Sequence, residues 1–217
     1  VNMIVCREDW MQRLIDIFPE NDFCFINYQT PGIDLALALN EKVAAMGCIP
    51  SVTFLQNHGL IVSSDHLEDI FDLTEKIVCA IEEFLGIDFG HYRIAQRIGN
   101  VLLDQFGMDD LVYCVEDQCL NQVIGESPEL FFMSPIAPDV VVFCGSGAVK
   151  MQDIDDVEQI ENYKKQFGVF PKVLICGGKI FLVASSIRKA REMEEVLKFT
   201  IQVLKQNKNQ KLIFLRE

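Results

Sequence analysis

Three histidines, His58, His66 and His91, are the residues of this chain best suited to acid–base or metal chemistry. Imidazole is the one side chain that titrates unperturbed near neutral pH, and it is the commonest metal ligand. His66 falls in the first turn of an expected helix and His91 opens another, so both are expected on a solvated surface. His58 differs. It lies in Gln56-Asn57-His58-Gly59, between the apolar runs VTFL (52–55) and LIV (60–62). That pattern predicts a turn or bulge between two strands, where a ring nitrogen can face a cleft. One imidazole does not make a zinc site, because catalytic Zn²⁺ takes about three protein ligands and one open position. No His-x-His pair occurs in the sequence.

The eight cysteines include Cys24, Cys79, Cys114, Cys144 and Cys176 inside apolar runs such as FCFI, IVCAI and VVFC. With no Cys-x-x-Cys and no pairing framework, they are expected as buried free thiols of a reducing cytoplasm. Two glycine clusters could touch a ligand. Cys176-Gly177-Gly178-Lys179 lacks the spacing of a phosphate loop and reads as a tight hairpin turn. Phe143-Cys144-Gly145-Ser146-Gly147 is a glycine-rich strand exit of the kind that borders clefts, without a full GxGxxG. The Glu- and Lys-rich stretches at 153–166 and 188–198 read as solvated helix faces.

These residues must be positioned by regular elements. Residues 7–18 place Trp10, Leu14 and Ile17 on one helical face, with Pro19 closing the segment. FCFINY (23–28) reads as a strand. Pro31-Gly32 then turns the chain into a helix over 33–46, stopped by Gly47. After the His58 hairpin, Ser63-Ser64-Asp65 begins a helix to about residue 85. Asp65 and Glu68 form a capping-box variant there, and Leu67, Ile70, Phe71, Ile77, Val78, Ile81 and Phe84 are its expected buried face. From about residue 90 a helix (91–106) leads to LVYCV (111–115). PELFFM and PDVVVFC read as strands and 154–167 as an amphipathic helix. VLIC (173–176), a Gly-Gly turn, IFLVA (180–184) and a final helix to about 205 complete the chain. VTFLQNHGLIVSS (52–64) and VLICGGKIFLVASS (173–186) each read strand, glycine turn, strand, Ser-Ser cap, helix. An internal repeat of that form would have lost the histidine in its second copy.

Composition narrows the function classes. The chain carries 19 Lys+Arg against 32 Asp+Glu, a formal −13, and half of its residues are hydrophobic. That balance repels phosphate backbones and anionic lipid, so neither nucleic acid nor membrane is an expected partner. No run reaches the ~20 apolar residues of a membrane span. The sequence opens Val1-Asn2-Met3-Ile4-Val5-Cys6, without an initiator Met or a signal peptide, and reads as a chain entered in mid-element.

PSVTFLQNHGLIVSSDHLEDIFDLTEKI resembles the signature of the class II aldolase/adducin family: strand, Asn-His-Gly-Leu, strand, helix. INYQTPGIDLALALNEKV is similar to the Tyr-x-x-Pro-Gly-x-x-Leu-Ala stretch of members akin to rhamnulose-1-phosphate and fuculose-1-phosphate aldolases. Val1-Asn2 resembles the residues that follow the family's His-x-His-Pro. The resemblance covers roughly residues 1–86. It implies an α/β (α+β) fold, the three-layer class II aldolase-like arrangement of a mixed or antiparallel sheet with flanking helices. Residues 1–89 would form the C-terminal part of that domain, and residues 90–217 a second, smaller α/β module. It also implies that His58 is the third ligand of a Zn²⁺ ion in the complete protein, with the remaining ligands and the catalytic acid/base lying before Val1. The implied activity is retro-aldol cleavage of a small sugar phosphate, a ketose 1-phosphate, to dihydroxyacetone phosphate and an aldehyde, in a homo-oligomer. A non-catalytic adducin-like interaction protein and a pentulose-phosphate 4-epimerase are the alternatives on the same fold.

Overall fold

The computed structural model describes residues 1–19 and 23–215. Contacts divide the chain into two units, Val1–Asp88 and Phe89–Glu217. Each is a mixed α/β structure built on a small mixed sheet.

In the first unit a short helix α1 (Asn2–Val5) precedes α2 (Trp10–Ile17). The helix expected over 7–18 therefore starts at Trp10, just after Asp9, whose carboxylate is held by both Arg7 (3.0 Å) and Arg13 (2.8 Å). Strand β1 (Cys24–Ile26) is the ordered core of FCFINY. Helix α3 (Ile33–Met46), strands β2 (Val52–Leu55) and β3 (Gly59–Val62), and helix α4 (Leu67–Leu85) follow. The sheet order is β1-β2-β3, with β1 parallel and β3 antiparallel to β2. Val52 and Phe54 point into a core with Trp10, Leu14, Ile77 and Ile81, while Leu55 joins Cys24 and Ile26 under α3. The Phe54 ring meets Phe18, Phe23 and Phe25, a cluster worth more than its buried area alone.

The α4 expectations need two corrections. Its N-cap is His66, and no side chain caps it. Ser64 instead donates its hydroxyl to Asp69 (2.9 Å) and accepts the His66 N–H (3.1 Å), closing the entry turn without Asp65 and Glu68. Ile77 and Ile81 are buried, but Leu67 and Phe71 are exposed because the first turns of the helix do not reach the β2 core, and Phe84 near its end is exposed as well. Cys79, on that same helix, is also exposed rather than buried.

In the second unit α5 (Gly90–Phe106) leads to β4 (Leu111–Cys114), α6 (Gln118–Glu126) and α7 (Pro138–Cys144). Then come β5 (Val149–Met151), α8 (Val157–Phe167), β6 (Val173–Cys176), β7 (Lys179–Ala184) and α9 (Ile187–Gln206). The sheet order is β4-β7-β6-β5; only the β5–β6 pair is parallel. Two expected strands are helical. PELFFM contains a 3₁₀ helix, Pro128–Phe132, and PDVVVFC is α7. Short apolar runs do not declare their period. Here Pro in the first turn, followed by an acidic residue, sets a helical start in both. Helix α8 begins at Val157, three residues beyond the expected start.

The echo seen in the sequence has a counterpart in the topology. β1-α3-β2-β3-α4 and β5-α8-β6-β7-α9 follow one order, with the first two strands parallel and the next two antiparallel in each. Among the described residues no helix is long and apolar enough to cross a membrane.

Candidate functional site

His58 is the third residue of the β2–β3 turn, and the turn is fastened at every backbone position. Gln56 N–H donates to Ile26 O (3.0 Å), Asn57 N–H to Val5 O (3.2 Å) and His58 N–H to Leu55 O (3.1 Å). Asn57 adopts φ 60, the left-handed conformation that Asn tolerates better than most residues. Gly59 follows at φ 132, and a Cβ there would lie 3.1 Å from Asn2 Oδ1, so glycine is needed both for its torsion and for the close approach of α1.

The segment after β1 clasps this turn from outside. Tyr28 N–H donates to Gln56 Oε1 (3.0 Å), and the Tyr28 ring stacks on the half-buried His58 imidazole, centroids 5.8 Å apart and 7° from parallel. His58 Nε2 lies 3.2 Å from Gln29 O. A carbonyl only accepts, so the proton is inferred on Nε2 and the free lone pair on Nδ1. One ring nitrogen tied to a backbone carbonyl is typical of a histidine oriented to use its other nitrogen.

Zinc sets a stricter test. It requires deprotonated thiolate, imidazole or carboxylate donors. The side chains gathered at the turn, Tyr28, Gln56, Asn57 and Asn2, are a phenol and three amides. Among the described residues no cluster of three or more His, Cys, Asp or Glu is arranged to hold a metal ion. His58 can therefore offer one ligand, and the donor set present does not by itself fit a closed zinc centre.

The other two histidines have surroundings of their own. His66 is exposed at the start of α4. His91 is less solvated than its sequence suggested, with 18% of its side chain exposed. Its ring lies 4.1 Å from that of Tyr92, and Nε2 is 3.9 Å from Glu116 Oε1. Tyr92 donates its hydroxyl to the same carboxylate, and that bond, with the adjoining charge, raises the phenol above its ordinary pKa. The signal for this pairing was long-range, α5 against the end of β4, and is not readable from local spacing.

The Gly145-Ser146-Gly147 segment borders an open cleft of about 390 Å³, lined also by Ser134, Lys150, Gln159, Asn162 and Gln166. Its backbone donors are largely spent, however. Ser146 N–H bonds to Tyr163 Oη (2.7 Å) and Ala148 N–H to Phe131 O (2.9 Å), so the loop is no phosphate cradle. Gly177-Gly178, at φ 56 and 73, forms the tight two-residue hairpin expected, and both residues lie in the left-handed region that a type I′ turn demands.

No family model, curated protein or solved structure matches this chain.

Proposed function

We propose that Val1–Asp88 is the ligand-bearing end of a class II aldolase/adducin-type domain. In this reading His58 presents an imidazole nitrogen towards a divalent cation, and the whole cytoplasmic, homo-oligomeric protein cleaves a ketose 1-phosphate to dihydroxyacetone phosphate and an aldehyde. One observation carries the reading: His58 is held by the Tyr28 ring and by the Gln29 carbonyl at Nε2, so that Nδ1 is the nitrogen a ligand would use. The Asn-His-Gly-Leu motif, set between two strands and followed by α4, accords with it. The described donors do not complete a zinc site.

The test is the zinc content of the full product of the gene encoding these residues. About one zinc per subunit is expected, falling well below that in His58→Ala. Undiminished zinc in the variant removes His58 from the site. The 217-residue chain alone should bind no stoichiometric zinc at micromolar metal. A non-catalytic adducin-like role is the second reading, and zinc well below one per subunit in the parent protein would favour it. A pentulose-phosphate 4-epimerase would share every feature of the turn and is separated from the lyase only by product analysis.

A further inference from the structure

The cleft beside Gly145-Ser146-Gly147 is built from one stretch of the second unit, from Phe132 at the end of the 3₁₀ helix to Phe167 at the end of α8. Its walls are tied together. Ser146 N–H bonds to Tyr163 Oη on α8 at 2.7 Å, and Ala148 N–H to Phe131 O at 2.9 Å. Gly145 stands at φ 81, where a Cβ would lie 2.7 Å from the same Tyr163 oxygen, so glycine lets the loop close on the phenol without displacing it. Tyr163 is 6% exposed and packs in the core with Ile160. The core beneath the cleft thus sets its shape before any ligand arrives.

Helix α8 sorts its side chains onto three faces. Ile160 and Tyr163 go to the core. Glu158, Glu161, Lys164 and Lys165 stay out of the cleft, with Lys165 paired to Glu161 at 3.4 Å. The cleft takes Gln159, Asn162 and Gln166, which are all the amides of the helix. Their spacing puts them on one stripe, and a rise of ~1.5 Å per residue spreads them over about 10 Å. Among the described residues none of the three side-chain amides has a hydrogen-bond partner. Ser134 and Ser146 line the same cleft, and Phe132 and Phe167 give it an apolar wall. Among the described residues Lys150 is the one charged group lining it, and no carboxylate does, although the chain is formally −13.

This composition selects a ligand class. A metal cation or an amine would find no carboxylate. A phosphate would find one ammonium and loop amides already spent. An apolar ligand would strand three amides without water. Each side-chain amide offers two donors and an acceptor, and each serine hydroxyl donates and accepts. Hydroxyl groups on a ligand are the match, being donor and acceptor at once. Amides spread along about 10 Å suit hydroxyls distributed along a ligand's length, whereas a planar base gathers its polar groups on one edge. The volume of about 390 Å³ lies in the ~300–1,000 Å³ range of small-molecule sites.

We infer that this cleft binds a neutral saccharide of about disaccharide length, with Gln159, Asn162 and Gln166 bonding its hydroxyls while Phe132 and Phe167 meet the C–H face of a sugar ring. The inference does not depend on the metal reading of His58.

The test titrates the isotope-labelled full chain with maltose, cellobiose, lactose and trehalose, and separately with adenosine and inorganic phosphate. The side-chain NH₂ resonances of Gln159, Asn162 and Gln166 are followed by NMR. At least one disaccharide is expected to shift all three to saturation. Asn162→Leu, at an exposed position, is expected to weaken that binding roughly fivefold or more through its lost hydrogen bonds, and Glu161→Gln to leave it unchanged. Gln166→Leu, also exposed, is expected to act as Asn162→Leu does and serves if that variant misfolds. No saturable shift by any of the disaccharides overturns the proposal, as does parent-like affinity in the leucine variants. Saturable shifts from adenosine or phosphate in place of the disaccharides also overturn it, in favour of a base or anion site.

Discussion

The imidazole of His58 lies nearly parallel to the phenol ring of Tyr28, 7° apart with centroids 5.8 Å distant, while its Nε2 faces the Gln29 carbonyl at 3.2 Å. The stacking and the hydrogen bond come from one segment, so the residues after β1 fix both the plane of the ring and its tautomer. Nitrogen chemical shifts of the neutral His58 ring are expected to report the Nε2–H form. In Tyr28→Ala the Gln56 bond to the backbone at residue 28 survives, but the ring loses its platform and a mixture of tautomers is expected. A pure Nδ1–H spectrum in the parent would contradict the arrangement.

Gly59→Ala should destabilise the first unit by about 1–3 kcal/mol, because alanine at φ 132 is strained and its Cβ would press on Asn2 Oδ1. Removing the clash through Asn2→Ala should recover only part of the loss, since the torsion remains. Trp10, the one tryptophan, is packed edge-on against Phe25, so its fluorescence during urea unfolding reports this unit. An unshifted midpoint in the Gly59→Ala chain would refute the close approach.

Asp117 caps α6, accepting the Leu120 N–H at 3.0 Å, and also receives Lys198 Nζ at 2.7 Å. Burial pushes its carboxyl up, but Lys198 and the helix-end amides outweigh that and hold the pKa below its ordinary 3.8. A depressed carboxylate stabilises the fold above its unfolded pKa and loses that contribution as pH falls through the folded value. Asp117→Ala should therefore cost about 1 kcal/mol at pH 7 through the lost cap. The gap between parent and variant, read from urea midpoints, should narrow on acidification below the ordinary value. A gap that widens in acid would reverse the sign of the coupling.

Cys144 should resist alkylation. The residue is 3% exposed and burial raises its thiol pKa to about 12, so almost no thiolate forms at neutral pH. Cys6, Cys48 and Cys79 are exposed and should react first. Peptide mapping after brief iodoacetamide treatment checks the order, and early labelling of Cys144 would mean that the α7–α9 core opens readily.

Much of this architecture could be read from residue order. The helix over 33–46, both hairpins and the Ser186 cap of α9, which accepts the Lys189 N–H at 3.3 Å, follow from local turn and period signals. The runs after Ser127 and Ala137 did not, since valine and phenylalanine suit a strand and the helical start depended on proline. The exposed end of α4 was equally hidden: apolar periodicity marks a stripe but not how far the sheet beneath it extends. At the site, the sequence indicates that His58 stands at a turn. The Tyr28 platform, the Gln29 acceptor and the fit of Asn2 against Gly59 depend on a parallel crossover and a helix packed from elsewhere, which residue spacing does not encode.

The two hairpins differ by one residue in their tips, Gln56-Asn57-His58 against Gly177-Gly178. A glycine pair closes its loop with hydrogen atoms alone and displays nothing, whereas the longer tip exposes an amide, a second amide and an aromatic base without disturbing the ladder behind it. A difference of one residue in loop length thus changes which side chains the tip displays while both pairs of strands stay antiparallel. Two sheets that share one order of elements can therefore differ in what their turns display.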